Sequence, residues 1–156
     1  MTAAELAARF ALQPHPENGS FRELHYESPE PRPASGSILY YIAPGERTRF
    51  HVIDCDEYWC RTAGAPLELW LIEPDGTLSV RSLGVEADCE PMIRIPAGVC
   101  FAARHVCGDK DGALVTCITV PRFRYEGFTM LSAQEAISRC PAAAAFYQPP
   151  EQEKHT

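Results

Sequence analysis

Apolar and polar residues alternate in short blocks along most of the chain, and the period changes only at its two ends. Leu6, Phe10 and Leu12 sit near helical spacing, and Thr2 three residues before Glu5 has the capping-box pattern. A short helix to about residue 12 follows from this. The segment Gln13-Pro14-His15-Pro16-Glu17-Asn18-Gly19 ends it, because two prolines and a glycine oppose helix. Ser20 to Glu27 reads as a strand, and Pro29, Pro31 and Pro33 as an extended loop. From Ser37 the pattern is that of strands: 38–42, 49–53, 67–72, 78–81, 92–95, 100–105 and 113–120. Turn residues separate them at Pro44-Gly45, Ala63-Gly64, Pro74-Asp75-Gly76, Pro96-Ala97-Gly98 and Gly108-Asp109, and Pro74-Asp75-Gly76 marks a hairpin. Ser132 and Glu135 repeat the capping box before Ala136-Ile137, so a second helix is expected up to Pro141, with a polar, frayed tail after Pro149.

Many short strands with regular turns predict an all-β sandwich or barrel with a short helix at each end. The length of 156 residues suits one domain over 1–156, its core at about 5–130 and a C-terminal helix and tail at 131–156. Composition narrows the partners. With 21 acidic against 14 basic side chains the net charge is −7, which repels phosphate backbones and anionic membranes. Neither nucleic acid nor membrane is expected. The longest apolar runs, such as Ala113 to Val120, reach roughly eight residues, short of a membrane span. The N-terminus lacks the basic-then-apolar order of a secretory signal, so a cytoplasmic protein is expected. Seven cysteines, at 55, 60, 89, 100, 107, 117 and 140, form no C-x-x-C pair. They read as reduced, mostly buried thiols.

One constellation changes the picture. Gly45 is followed after five residues by His51, then by Ile53, Glu57 and Gly64. Further on stand Pro96, Gly98, Phe101 and His105. These positions resemble, in register, the two cupin motifs G-x5-H-x-H-x(3,4)-E-x6-G and G-x5-P-x-G-x2-H-x3-N. Ile53 stands where the second His belongs, Phe101 where the third belongs, His105 at the Asn position and Glu90 at the leading Gly of the second motif. The flanking text is closer still to one cupin family long catalogued as a domain of unknown function. Pro14-His15-Pro16-Glu17-Asn18-Gly19 is similar to its P-H-P-E-G-G opening, with Asn18 for the first glycine. His51, Asp56, Glu57 and Trp59 match its H-x4-D-E-x-W-H segment, with Cys60 for the last His. Ile95-Pro96-Ala97-Gly98 and the Pro121-Phe123-Glu126-Phe128 ending also look like it. The resemblance runs from about residue 5 to 130 and implies a cupin or jelly-roll β-barrel around a small-molecule pocket.

A cupin metal uses three His and one carboxylate. With Ile53 and Phe101 at two of those positions, only His51 and Glu57 are kept, so no metal and no other cofactor is expected. His105, at even spacing from Phe101 on a strand, is the one further candidate. Alternation places Arg49, His51 and Ile53 on one strand face, with Glu57 and Trp59 on the next strand. Such a set suits a sugar-like or nucleotide-sugar-like molecule: Trp59 stacks a ring, Arg49 binds an anion, and His51 with Glu57 exchanges protons. The catalytic candidates are therefore His51 and Glu57. The ligand-binding candidates are Arg49, Trp59, Tyr41, Phe101, His105, His15 and Glu17. Phe101 is expected to make the cavity mouth more apolar. His15 and Glu17 serve mainly to lock the proline-rich turn. Metal-free cupin-like epimerases, which use a His base and a Tyr acid, supply the functional analogy. His51, oriented by Glu57 or Asp56, would be the base, and Tyr41 or Tyr125 the acid. Each residue also has a plainer role: His51 as an internal hydrogen-bonding residue, Glu57 paired with Arg49 or Arg61, Trp59 and the tyrosines as packing. The expectation is a metal-independent isomerase or epimerase, with a non-catalytic binding or sensing module as the alternative. Strand edges and the proline-rich arm fit a homodimer.

Overall fold

The computed structural model describes residues 2–25, 30–105 and 110–148. The frayed tail after Pro149, the Gly108-Asp109 turn, Cys107 and the end of the expected 20–27 strand lie outside the described residues. Helix α1 (Ala3–Arg9) carries the expected capping box between Thr2 and Glu5. It stops short of residue 12 because Ala11 adopts a left-handed backbone with φ of 51°. Two short strands follow, β1 (Gln13–Pro14) and β2 (Ser20–His25), then β3 (Gly36–Ile42), β4 (His51–Val52), β5 (Asp56–Gly64) and β6 (Leu67–Ile72). The remaining strands are β7 (Leu78–Leu83), β8 (Met92–Ile95), β9 (Cys100–His105), β10 (Ala113–Val120) and β11 (Thr129–Met130). Helix α2 (Ala133–Arg139) begins at the Ser132/Glu135 capping box. Pro141 opens a 3-10 helix to Tyr147 rather than ending helical structure, since proline fits the first position of a helix.

The strands form two antiparallel sheets. One has the order β1-β2-β3-β10-β5-β8 and the other β11-β4-β9-β6-β7. This is the cupin barrel. Between the sheets lies the main core, in which Tyr40, Trp59, Leu69, Ile93, Phe101 and Val115 are all buried. The outer face of the second sheet is covered by the C-terminal helical segment, where Phe146 packs on Phe50 and Trp70 with ring centroids 4.9 and 5.6 Å apart. The outer face of the first sheet takes α1, through Ala3, Leu6, Leu39 and Leu114. Pro74-Asp75-Gly76 makes the β6–β7 hairpin as expected, with Gly76 at φ 83° and Glu73 N–H bonded to the Thr77 carbonyl at 2.9 Å.

The β1–β2 arm positions the site. Asn18 and Gly19 both have positive φ, 83° and 72°, and the chain reverses there. Asn18 Nδ2 donates to the Arg47 carbonyl at 3.0 Å, and Gly19 N–H donates to Glu46 Oε1 at 2.9 Å. Tyr40 Oη donates to the Asn18 carbonyl at 2.6 Å. The arm is thereby pinned across one end of the barrel, and Glu17 points inward.

Candidate functional site

A cavity of about 350 Å³ opens between the sheets. That volume falls within the usual range for small-molecule sites. The first sheet contributes most of the wall, through Phe21, Ile38, Tyr40, Glu57, Trp59, Cys117 and Thr119. The second sheet contributes His51 from β4, with Ile53 just beyond it. The mouth is the segment that includes Arg122, Phe123, Arg124, Tyr125, Glu126 and Phe128. Asp54 binds two guanidiniums there: Arg32 in a fork at 2.8 and 3.2 Å, and Arg124 at 2.7 Å. Gly127 lies so close to Asp54 that any side chain at 127 would collide with the carboxylate. Arg122 pairs with Glu23.

At the inner end His51, 2% exposed, is held by a carboxylate on one side and a ring on the other. Its Nδ1 lies 3.0 Å from Glu17 Oε2 and 2.8 Å from the Arg49 carbonyl. Both are acceptors, so Nδ1 carries the hydrogen and Nε2 is the atom left for the cavity. The imidazole packs at a tilt against Phe101, with centroids 4.2 Å apart. Burial works to lower the pKa of His51, but the charge and hydrogen bond of Glu17, the Arg49 carbonyl and the charge of Glu57 outweigh it, and the net shift is upward. Burial works to raise that of Glu17, and the charge and hydrogen bond of His51, with His15 and Tyr40, hold it below the ordinary carboxylate range. Glu57 differs. It is buried without a comparable partner, and desolvation, reinforced by the charge of Glu17, carries its pKa to about 7 against the pull of His51. Trp59 Nε1 is buried beside it without a hydrogen-bond partner of proper geometry; it favours the charged carboxylate only weakly.

The structure brings His51, Glu57, Trp59, His15 and Glu17 together around the cavity and leaves four expected residues, Arg49, Tyr41, His105 and Phe101, outside its walls. Arg49 is exposed, because the sheet ladder reaches only His51–Val52 and the alternation drawn through residue 49 does not apply. Tyr41 faces the opposite side of β3 from Tyr40 and packs with the α1 layer. His105 is buried at the far end of β9, with Nε2 2.6 Å from the Asp111 carbonyl. Phe101 lies behind His51 at the inner end, fully buried, and not at the mouth. Asp56 does not orient His51; it binds Arg94 at 2.7 Å and the Ala97 N–H at 2.9 Å. Glu57 pairs with neither Arg49 nor Arg61, the latter meeting Glu86 at 2.7 Å. Tyr125 stands at the mouth, 59% exposed. Glu17 has the larger part: besides the turn, where its N–H donates to His15 Nδ1 at 3.3 Å, its carboxylate fixes the imidazole. Tyr40, Phe21, Cys117 and Thr119 were not anticipated, although inward alternation of Ile38/Tyr40 and Cys117/Thr119 carries that signal.

A family model described as Cupin superfamily (DUF985) matches residues 4–131. The chain belongs to this family. Among solved structures, this cupin is similar to a Shewanella oneidensis protein at 27% identity and a TM-score of 0.85, over 97% of this chain and 98% of that one. A hypothetical protein from Leishmania major is 25% identical, with a TM-score of 0.79 over 93% and 96% of the two chains. Oxalate decarboxylase from Bacillus subtilis, at 15% identity and a TM-score of 0.64, shares the fold over 88% of this cupin and 35% of its own chain. No curated protein matches. The cupin metal does not fit the residues present. Ile53 and Phe101 fill two of its four positions, and the Nδ1 of His51 is engaged by Glu17 and Arg49. Among the described residues no group of three or more His, Cys, Asp and Glu is arranged to hold a metal ion. In this cupin the ring of Phe101 supports the imidazole instead, and Ile53 lines the cavity.

Proposed function

We propose that the cavity binds a small molecule with an acidic C–H next to a carbonyl, and that the protein isomerises or epimerises it by proton transfer without a metal. The observation that carries this reading is the Glu17–His51 pair: a carboxylate 3.0 Å from Nδ1 fixes the tautomer and leaves Nε2 to the cavity, beside a carboxyl group whose pKa is about 7. His51 Nε2 takes the proton from carbon. Glu57, carrying its proton up to about neutral pH, gives it to the carbonyl oxygen, and an enol forms. His51 then returns its proton to the other face of the same carbon while the enol O–H proton goes back to Glu57; where the substrate carries an α-hydroxyl, the proton goes instead to the former carbonyl carbon and the α-hydroxyl proton goes to Glu57. Charge and atoms balance within the two residues, and Glu17 stays ionised throughout. The base must be neutral and the acid protonated, so the rate is bell-shaped in pH around neutrality, with apparent values that belong to the pair.

The test is exchange of α-hydrogen for deuterium in carbonyl compounds incubated with the protein in D2O, followed by proton NMR. His51→Ala and Glu57→Gln are expected to lose about 10²–10⁴-fold of any catalysed exchange while circular dichroism shows the barrel still folded. A catalysed exchange that survives His51→Ala defeats the assignment. Ligand-dependent thermal shifts with no exchange by the wild type favour the binding or sensing module instead.

A further inference from the structure

The walls of the cavity say more about the ligand than its two titrating residues do. From mouth to inner end they are built of Phe21, Ile38, Tyr40, Ile53, Trp59 and Phe128. Several of the polar side chains between these are already engaged. Tyr40 Oη donates to the Asn18 carbonyl at 2.6 Å, Thr119 Oγ1 accepts from Phe123 N–H at 2.9 Å, and His15 Nδ1 accepts from Glu17 N–H at 3.3 Å. The basic groups at the mouth are taken too: Arg124 shares Asp54 with Arg32, and Arg122 holds Glu23. The groups that can still meet a ligand deep in the cavity are gathered at its inner end. There stand His51 Nε2, the Glu57 carboxyl and Trp59 Nε1, the last buried without a hydrogen-bond partner of good geometry.

A polyhydroxylated ring placed here would bring hydroxyls all round its edge and meet mostly ring faces and alkyl groups away from that inner end. Each hydroxyl there would give up its water for a ring face or an alkyl group, which costs binding. An apolar ring loses nothing by the same contacts and gains from leaving water. An anionic handle is also ill served, since its reach inward ends at Glu17 and Glu57 and its reach outward at arginines already paired. A single carbonyl oxygen, by contrast, fits the one polar focus, accepting from Glu57 while its α-carbon meets His51.

We infer that the substrate is an apolar ring ketone, a compact hydrocarbon ring bearing one carbonyl, rather than a sugar or a nucleotide-linked sugar. This deepens the proton-transfer reading and rests on it for the role of the carbonyl, but ring selectivity is separable from turnover.

The full chain is titrated by calorimetry with 2-tetralone, with cyclohexanone and with an inosose, the pentahydroxylated counterpart of cyclohexanone. Tetralone is expected to bind at least tenfold more tightly than the inosose, and cyclohexanone more tightly than the inosose as well. An inosose that binds as well as cyclohexanone or better overturns the inference. So does the absence of saturable binding by tetralone at its solubility limit. Ile53→Thr, close in shape but with a hydroxyl in the wall, is expected to weaken tetralone several-fold. Val85→Ser, outside the cavity, is expected to leave it unchanged; equal effects of the two would place the ligand elsewhere and also overturn the inference. Deuterium exchange on the same complexes separates the two readings. Tetralone that binds selectively but exchanges no faster than in buffer leaves the ring inference standing and removes the proton transfer.

Discussion

Glu57 is a carboxyl group that the fold buries between apolar walls, and its pKa of about 7 against an ordinary 4.5 is the measure of that burial. The folded state holds the proton more tightly than the unfolded chain. The stabilising contribution is therefore complete below about pH 4.5 and lost as pH rises through about 7. Glu57→Gln keeps the shape and cannot ionise. Its melting temperature is expected to exceed that of the wild type by about 3–8 °C at pH 8, with the difference vanishing near pH 4.5, as read by calorimetry. Glu17→Gln tests the other half of the pair. Removing the negative charge 3.0 Å from Nδ1 should lower the pKa of His51, seen by NMR titration of its imidazole protons. His51 and Glu57 were legible from motif spacing, and Glu17 from the proline-rich opening. Arg49 and Tyr41 fall outside the cavity for separate physical reasons. Period-2 alternation orients a side chain only where a ladder holds the strand, and at Arg49 no ladder does. Alternation sets Tyr40 with Ile38 and Tyr41 with Leu39, and the packing of α1 against Leu39 and Tyr41 makes theirs the outer face.

Strands bounded by clear turn residues, such as Leu67–Ile72, Met92–Ile95, Cys100–His105 and Ala113–Val120, have the boundaries the pattern predicts. The longest strand, β5, was the least visible. Its polar alternating sequence, from Asp56 to Gly64, is held by long-range pairing with β10 on one side and β8 on the other. It supplies Glu57 and Trp59, so the element that carries most of the inner end is the one that local propensity describes worst. Its far end is set by Gly64, at φ 82° and close under the Gly112 carbonyl and Ala3. A methyl group there strains the backbone and collides with both. Gly64→Ala is expected to destabilise by about 2–4 kcal/mol in denaturant titrations. Unfolding that moves by under half of that would mean that β5, β10 and α1 can slide apart at little cost.

A ligand in the cavity touches both sheets, because His51 belongs to one and Glu57 and Trp59 to the other. Binding therefore opposes global unfolding rather than one local opening. At a hundred times its dissociation constant a true ligand adds about 2.7 kcal/mol, or roughly 5–10 °C in Tm. The outer strands β7 and β8 expose Val80 and Met92 at the edges of the two sheets. Those edges suit a second copy of the chain, and light scattering is expected to give twice 17.3 kDa, reduced toward the monomer by Met92→Lys. A wild-type monomer at micromolar concentration would remove that expectation. The Asp54 clip acts on a different property of the whole molecule, its exchange with the surroundings. It fastens the aromatic segment at the mouth through ion pairs that reach solvent, Arg124 exposed and Arg32 part-buried, whereas His51, Glu57 and Trp59 lie deeper. Added salt weakens exposed pairs far more than buried ones. Raising the ionic strength should thus shorten the residence time of a bound molecule and speed its arrival by similar factors, leaving equilibrium occupancy almost where it was.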